Sequence, residues 1–460
     1  MGRQTTRLHV SGYRFTMRRM EHALVRADVR MLDDPLRAQS VSLLVGCVVA
    51  VVALGACAVL AVLRPQGAPG DALIVAERES GALYVRIDDT MHPVPNLASA
   101  RLIVGAAEEP KTVSASALAG LRRGPMVGIA GAPAAVGVPL AAAESLWTVC
   151  DSAAATTVVV GGPPLIDSDA DAAVLVSARS EGPATTYLLY DGRRAAVDLR
   201  DTAVVRALRL DGVTPRPVSR ALLDTLPESP PITAPAVPRA GEPGVLRGFP
   251  VGTVVGLSRA GVIEQYVVLA DGLQRIGDVT ADLIRFTLSQ RHSTVPDIAA
   301  DAVAASGIVD RVPVAGYPDR VRIVDPAVIC VQWATIDGRP VTTLVDGQTL
   351  LADGASVDLA QADGAGPNID AVRTPAGRSA YVRPVSATGA GASAEPRLLM
   401  TDSGVLFGVA DDATARPLGI ESVPVPAPWP VLARLPRGPQ LSRESASVVR
   451  DAVAVAGPSR

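Results

Sequence analysis

The distribution of apolar positions divides the chain into a membrane-like segment and a much larger remainder. From Val41 to Leu63, twenty-three consecutive residues carry no charge. At ~1.5 Å per residue, a helix of this length spans the ~30 Å hydrocarbon core of a bilayer. Beyond it, short apolar runs alternate with Gly, Pro and Asp, which is typical of short strands and helices joined by turns. The pattern predicts one transmembrane helix (41–63) followed by a large, β-rich domain.

Arginines placed before the apolar segment predict its direction of insertion. Residues 1–40 contain eight Arg and four acidic residues, whereas only Arg64 and Arg78 follow the segment closely. The excess of positive charge is expected to stay on the cytoplasmic side. We therefore predict a single-pass membrane protein with a cytoplasmic N-terminus and a large C-terminal domain outside the cytoplasm. The rest of the chain is acidic, which disfavours a nucleic-acid partner for the basic end.

Two other interpretations of the apolar segment explain only some of the pattern. A cleaved secretory signal is disfavoured because forty residues precede the segment, and because it exceeds the usual apolar region of ~7 to 15 residues. A lipoprotein signal would use the small residues before Cys57, but the apolar run continues six residues past that cysteine. A retained membrane anchor accounts for the whole segment.

The residues ahead of the membrane segment carry apolar side chains at helical spacing, with Arg on the other faces. Residues 1–40 are predicted to contain a cytoplasmic amphipathic helix that ends at Pro35, and Asp34 and Pro35 are predicted to start the transmembrane helix. The apolar face fits docking to cytoplasmic partners and adsorption to the anionic inner leaflet equally well. Its residues are Phe15, Met20, Ala23, Leu24, Ala27 and Met31.

A β-hairpin pattern with an Asp-centred turn occurs four times in the outer portion of the chain. A helix is predicted to follow each hairpin, with Thr202 and Thr280 as two of the N-caps, and a second helix closes each unit. The hairpins span Leu83–Val94, Tyr187–Leu199, Tyr266–Val279 and Arg397–Val409; the first helices begin near Leu97, Thr202, Thr280 and Asp412; the second begin near Ser114, Val218, Pro296 and Pro428. These units predict four small ββα-type repeats.

Repeats of this size cannot each bury enough apolar surface alone, so they must pack on something shared. Two long inserts separate the first repeat from the second and the third from the fourth. The second insert carries turn signals at Asp337-Gly338 and Asp346-Gly347. We predict an α+β fold in which both inserts form one β-rich central core. The predicted division is repeat 1 (73–127), the first core insert (128–183), repeat 2 (184–234), repeat 3 (263–314), the second core insert (315–395), repeat 4 (396–442) and a flexible tail (443–460).

The cysteines lead to the same central core. Cys47 and Cys57 lie in the membrane segment, which leaves Cys150 and Cys330 outside, one in each insert and both in apolar, β-prone contexts. The compartment predicted from the topology is oxidising. We predict a disulfide between Cys150 and Cys330, with two free buried thiols as the alternative. Closing so long a loop would stabilise the fold by ~5 kcal/mol in the chain-entropy model.

Residues that could support catalysis are sparse. Lys111 is the only lysine, and it lacks the glycine loop through which a Walker A motif holds phosphates and Mg²⁺. Gly389-Ala390-Gly391 with Ala394 lacks the strand-to-helix context of a dinucleotide fingerprint. His92 and His292 are the two histidines that follow the membrane segment, and the sequence contains no nucleophile elbow, metalloprotease motif or paired cysteines with which they could act. We therefore predict no catalytic, cofactor-binding or metal-ligating residues.

Several segments carry a resemblance to a known family. They are TTRLHVSGYRFTMRRMEHALVRADVRMLDDPLRAQS at 5–40, VGIAGAP at 127–133, LWTVCD at 146–151, GPNIDAV at 366–372, GRSAYVRPV at 377–385 and APWPVLARLPRGPQLSRE at 427–444. Over essentially its full length the chain resembles the EccB family. That family is a core membrane component of the ESX, or type VII, secretion systems of mycobacteria and related actinobacteria.

The resemblance implies more than the pattern itself predicts. Family members have one transmembrane helix and a periplasmic domain of four repeats around a central core, in an elongated, propeller-like arrangement. They assemble with EccC, EccD and EccE, pair through their periplasmic domains and approach the mycosin protease. The family's periplasmic disulfide corresponds to Cys150 and Cys330.

The function that follows is that of a structural and assembly subunit which supports protein export across the inner membrane. Two alternatives belong to other classes. Family members are sometimes labelled ATPases, which would make the chain an ATP-binding and hydrolysing component of the same system. Small ββα repeats also occur in wall-binding proteins, which would make it a peptidoglycan-binding module.

Overall fold

The computed structural model describes most of the chain, in nine segments: residues 6–27, 35–63, 69–166, 169–179, 185–259, 261–288, 294–346, 355–390 and 396–451. The chain divides into two compact units. One comprises residues 1–70 with 116–118, and the other comprises residues 71–115 with 119–460. The described portion of the first contains two long helices, and that of the second is a mixed α+β domain rich in strands.

The second of the two N-terminal helices has the length and composition of a membrane span. These helices are α1 (Arg7–Arg26) and α2 (Pro35–Leu63). Within α2, the 21 residues Gln39–Val59 form the one candidate span found among the described residues. Its large apolar side chains are exposed to the surroundings, as a lipid-facing helix requires.

The start of α2 agrees with the prediction from the sequence, and the end of α1 does not. Pro35 begins α2 as predicted, because the fixed φ of proline suits the first helical position. Helix α1 ends at Arg26 and not at Pro35: Ala27 adopts a left-handed φ of 57°, and its N–H donates to the carbonyl of Ala23. The predicted capping residue Asp34 lies outside the described residues, as does Met31.

Among the described residues beyond α2 there are nine short α-helices, and each predicted helix is among them. They are α3 (Leu97–Val104), α4 (Ala115–Ala119), α5 (Thr202–Ala207), α6 (Arg220–Thr225), α7 (Asp278–Thr287), α8 (Ala300–Ser306), α9 (Asp412–Ala415), α10 (Trp429–Leu432) and α11 (Arg443–Ala446).

The two predicted threonine N-caps are wrong. The side chain of Asp201 caps α5 by accepting from the backbone N–H groups of Ala203 and Val204, and a carboxylate also complements the helix dipole there. Helix α7 starts from Gly277 with no side-chain cap, and Thr280 is buried within its first turn.

Twenty-seven strands are described, most of them three to eight residues long. They are β1 (Ile74–Glu77), β2 (Leu83–Ile87), β3 (Thr90–Val94), β4 (Lys111–Val113), β5 (Arg122–Arg123), β6 (Met126–Val127), β7 (Val138–Pro139), β8 (Trp147–Asp151), β9 (Thr156–Val160), β10 (Ala172–Ala178), β11 (Thr186–Tyr190), β12 (Arg193–Val197), β13 (Arg216–Val218), β14 (Glu228–Ile232), β15 (Val254–Arg259), β16 (Val262–Val268), β17 (Leu273–Ile276), β18 (Arg322–Ile323), β19 (Ile329–Ile336), β20 (Arg339–Asp346), β21 (Val357–Asp358), β22 (Ala371–Arg373), β23 (Arg378–Val385), β24 (Arg397–Met400), β25 (Leu406–Val409), β26 (Val425–Pro428) and β27 (Val449–Arg450).

The four predicted hairpins are present as β2–β3, β11–β12, β16–β17 and β24–β25, each in a separate sheet. An antiparallel strand precedes each hairpin and extends its sheet, which the sequence pattern did not predict. The strand orders are β4-β1-β2-β3-β5, β13-β10-β11-β12-β14, β15-β16-β17 and β25-β24-β23-β26. Two short strands pair with the first residues of longer ones, β18 with the start of β10 and β7 with the start of β23.

Strands from both predicted inserts meet in one central sheet of six strands, in the order β20-β19-β8-β9-β22-β21. The first insert contributes β8 and β9, and the second contributes the other four. The turn at Asp337-Gly338 joins β19 to β20, with both residues at positive φ, as a two-residue hairpin requires. Gly347 lies outside the described residues.

The main hydrophobic core lies against this central sheet. Helix α6, which follows the second hairpin, and helix α10, which follows the fourth, pack on it with Trp147 and Trp333 in the same cluster. The first hairpin sheet packs on the fourth through α3, and the second packs on the third through α5 and α7. Each small sheet therefore completes its core with a neighbour.

A glycine in the second hairpin sets how closely that hairpin approaches the central sheet. Gly192 has a φ of 62°, and a Cβ there would lie far inside van der Waals contact with the carbonyl oxygen of Thr342 on β20. The hydroxyl of Thr342 also donates to the Gly192 carbonyl over 2.7 Å. Only glycine allows both the backbone conformation and the approach.

We expect Gly192→Ala to lower the free energy of unfolding by about 2 to 3 kcal/mol, because backbone strain and displacement of β20 add together. The matched control is Gly81→Ala, which has a φ of 72° and no atom within 4 Å of the added carbon. We expect Gly81→Ala to lower the free energy of unfolding by only about 1 kcal/mol, because it adds backbone strain without a clash. Chemical denaturation of the full chain in detergent measures both, and equal costs would contradict the steric argument.

Candidate functional site

The centre of the strand-rich domain is a disulfide between two strands that are distant in sequence. Cys150 on β8 and Cys330 on β19 are direct partners in the antiparallel register, and their Cα atoms lie 4.1 Å apart. Their sulfur atoms are bonded at 1.96 Å, across 180 residues of sequence, and both side chains are fully buried. The structure thus brings together the two cysteines singled out from the sequence. Cys47 and Cys57 are free thiols on α2.

Two tryptophans stand opposite each other three residues from this bond. Trp147 and Trp333 are paired across β8 and β19 and are fully buried. The indole N–H of Trp147 donates to the hydroxyl of Ser145 over 3.3 Å, and that of Trp333 donates to the carbonyl of Ala387 over 3.0 Å. Buried indoles with satisfied donors give this region of the sheet a defined packing.

A buried carboxylate next to the disulfide joins the central sheet to the second hairpin sheet. Asp151 accepts hydrogen bonds from the hydroxyl of Thr156 over 2.6 Å and from the backbone N–H of Ser219, just before α6. The guanidinium of Arg179 lies 3.7 Å from the Asp151 carboxylate. It also donates to the Thr156 hydroxyl over 3.0 Å and to the carbonyl of Ser152 over 2.6 Å.

Burial dominates the electrostatics of this carboxylate. Asp151 is 1% exposed, and loss of solvent raises the pKa of its carboxyl above the ordinary value of 3.8. Hydrogen bonds from Thr156 and Ser219 and the charge of Arg179 oppose that rise in pKa, because they stabilise the ionised form. Removal of Arg179 would leave a buried charge without its counter-ion.

A second buried aspartate orders the loop beside this network. One carboxylate oxygen of Asp370 accepts from the backbone N–H of Thr156 over 2.7 Å. The other accepts from the backbone N–H groups of Asp363 and Gly364, over 2.7 and 2.6 Å. Asp370 precedes β22, so its contacts fix the end of the central sheet relative to β9. We name Asp151, Thr156, Arg179, Ser219 and Asp370 the central polar network.

No sequence signal pointed to the central polar network. Asp151 and Asp370 lie in the segments 146–151 and 366–372, which carry the family resemblance, but neither segment matches a motif with known chemistry. The partners of Asp151 come from 5, 28 and 68 residues further along the chain. No local pattern of polar residues brings these positions together.

A third polar contact joins the helices that pack on the central sheet. Asp224 on α6 accepts from Arg194 on β12 over 3.0 Å and from Arg434, just after α10, over 2.6 Å. Arg194 also pairs with Glu228 over 3.0 Å. These contacts connect the second hairpin sheet with the fourth across the face of the central core.

The residues considered for catalysis remain scattered. Lys111 begins β4 and is exposed, and His92 lies on β3 with its Nδ1 2.8 Å from the carbonyl of Pro125. Gly389 lies in a turn with a φ of 82°, whereas His292 and Ala394 fall outside the described residues. Within the described segments, no group of three or more His, Cys, Asp or Glu side chains is placed to hold a metal ion. The polar groups described above instead join the central sheet to the sheets packed around it.

Comparison with known proteins gives matches over nearly the whole chain. The model of the family described as "Type VII secretion system ESX-1, transport TM domain B" matches residues 2–455. The protein named ESX-3 secretion system ATPase EccB3 of Mycolicibacterium smegmatis is 37% identical, with 97% of this chain and 91% of the relative covered. ESX-2 secretion system ATPase EccB2 of Mycobacterium tuberculosis is also 37% identical, with coverages of 97% and 95%.

Solved structures match the fold as well. A chain in the structure of an intact ESX-5 inner membrane complex has a TM-score of 0.70 and 31% identity, with 100% of this chain and 98% of that chain covered. The structure of an EccB3 dimer from the ESX-3 core complex has a TM-score of 0.69 and 32% identity, with coverages of 82% and 100%.

Proposed function

Because this chain belongs to the EccB family of type VII secretion systems, we propose that it is a membrane-anchored structural subunit which builds the periplasmic portion of an ESX complex and supports protein export. The observation that carries the proposal is the full-length likeness to a chain in an intact ESX inner membrane complex. The apolar span in α2 and the strand-rich domain joined at its centre suit an anchor and a scaffold.

In this proposal, the strand-rich domain consists of four copies of one small unit around the central core, in an elongated, propeller-like arrangement. What supports it is a shared connectivity. In each sheet a hairpin follows an antiparallel first strand, and a later segment runs parallel to that strand: β4 to β1, β13 to β10, β26 to β23, and Asp297 bridged to Gly256 on β15. Repeats 2, 3 and 4 then begin at their first strands, near Ala172, Val254 and Arg378, ahead of the boundaries drawn from the hairpins alone.

We infer a non-catalytic role, although relatives carry ATPase in their names. A nucleotide site of the Walker type needs a glycine loop before its lysine. The only lysine here, Lys111, follows Glu109 and Pro110. Hydrolysis that powers the complex is better assigned to a cytoplasmic component, where ATP is available.

The proposed orientation places residues 1–40 in the cytoplasm and residues from Gly70 onward in the periplasm. With proteinase K added to intact spheroplasts, we expect the outer domain to be digested while an epitope at the N-terminus stays protected. Lysis before digestion should remove the epitope as well, which is the control. Protection of the outer domain until lysis would contradict the orientation.

We propose that the partners are the EccC, EccD and EccE components and the mycosin protease of the same system, together with a second copy of this chain. A C-terminally tagged full chain, expressed with these components and purified from solubilised membranes, is expected to retain them and to contain two or more copies. A chain that purifies alone and monomeric, from membranes in which all components are produced, would refute the assembly role.

A further inference from the structure

Helix α1 carries a continuous apolar stripe that faces outward. The stripe residues recur at alternating spacings of three and four, so at 3.6 residues per turn they fall within an arc of roughly 80°. All are exposed, from 42% to 87%. Phe15, grouped with the apolar positions from the sequence alone, lies on the opposite side of the helix. The stripe consists of Val10, Tyr13, Met17, Met20 and Leu24.

Arginines border this stripe along one side. Arg7, Arg14 and Arg18 lie roughly 80° to 120° from its centre and are exposed. A long Arg side chain can rest its aliphatic stem on an apolar surface while its guanidinium reaches a phosphate group. An apolar stripe bordered by guanidinium groups is complementary to the interface of an anionic bilayer.

The chain keeps this helix close to a membrane at all times. Twelve residues separate Arg26, at the end of α1, from Gln39, where the candidate span begins. With residues 35–38 helical in α2 and the rest fully extended, that connection reaches at most about 40 Å. Anionic headgroups attract each nearby Arg by ~1 kcal/mol, and the tether supplies a high effective concentration of membrane. Adsorption therefore requires no further partner.

We propose that α1 binds the anionic surface of the membrane in which α2 is anchored, with its stripe in the headgroup–acyl boundary and its arginines on lipid phosphates. The proposal rests on the proposed function only for placing this surface in the cytoplasm. The stripe spacing also suits a coiled coil with a second copy, but α1 is fewer than three heptads long. In a parallel pair His9 would face Arg14 and Thr16 would face Glu21, so neither of these contacts would be an ion pair.

The test uses the full chain in nanodiscs with Cys47→Ala and Cys57→Ala, labelled with a nitroxide at Met17→Cys on the stripe or at Ser11→Cys on the opposite side. With phosphatidylglycerol present, the label at position 17 should collide more with lipid-soluble oxygen than with a water-soluble nickel complex, and the label at position 11 should do the reverse. In phosphatidylcholine alone, both labels should face water. Arg14→Gln with Arg18→Gln should return position 17 to water in the anionic discs.

Two outcomes would overturn the proposal. The label at position 17 could remain in water with both lipids, or it could be shielded from both reagents with spin–spin broadening, which would assign the stripe to a second copy of α1. Nanodiscs expose both membrane faces, so this result does not depend on topology. Failure here would leave the spheroplast digestion, and with it the proposed function, unaffected.

Discussion

Replacement of Cys150 and Cys330 together by Ala is expected to lower the free energy of unfolding of the outer domain by about 5 kcal/mol. The size of the effect follows from the 180 residues between the two cysteines, because a long loop loses much chain entropy when it is closed in the unfolded state. The bond also lies in the fully buried centre of the sheet that joins both inserts. Its loss should therefore weaken the domain as a whole.

Guanidinium unfolding of the full chain in detergent, followed by circular dichroism, measures this loss. Wild-type protein unfolded in the presence of a reductant should lose a similar amount of stability. The matched control is Cys47→Ala with Cys57→Ala, which removes two free thiols of α2 and should leave unfolding of the outer domain unchanged. An unchanged midpoint in the Cys150 and Cys330 variant would show that the disulfide does not form in the folded protein.

The elements that the sequence predicted are those with a strong local signal. The uncharged run of α2 and the Asp-centred turns of the four hairpins each encode their structure within a few residues. The central core could be located because the two inserts interrupt a repeated pattern and contain the remaining cysteines. Contacts between distant segments could be predicted only where the local sequence also indicated them.

What the sequence did not predict depends on contacts between distant segments. Strand β10 is a buried apolar run whose periodicity does not say which sheet it joins; it pairs with β11 and not with the central sheet. The caps of α5 and α7 were assigned to threonines one and three residues too late, since several residues near each start could serve as caps. The central polar network has no local signature, because its side chains converge only after the sheets have packed.

The central polar network gives the second large prediction. We expect Arg179→Met to lower the free energy of unfolding by about 3 to 5 kcal/mol near neutral pH, because it leaves the Asp151 carboxylate buried without its counter-ion. Met retains most of the aliphatic volume, so a cavity contributes little. Asp151→Asn should cost less, because the amide oxygen can still accept from Ser219, and because the Arg179 guanidinium, although buried without its carboxylate, keeps its hydrogen bonds to Thr156 and Ser152. The combination of both changes should recover much of the loss.

The pH dependence of that cost separates a lost charge from a lost contact. Burial raises the pKa of Asp151 in the folded state above its ordinary value of 3.8, so the folded protein holds this proton more tightly than the unfolded chain does. The resulting stability is fully present below the unfolded pKa, about 4, and is lost as pH rises through the folded pKa. Without Arg179 that pKa rises further, so the cost of Arg179→Met should shrink on acidification from neutral pH towards about pH 4.

Unfolding free energies of the wild type, Arg179→Met and Asp151→Asn across this range measure the effect. Asp151→Asn should lack this component of the pH dependence. A cost of Arg179→Met that is the same at every pH would mean that its packing, and not its charge, stabilises the junction.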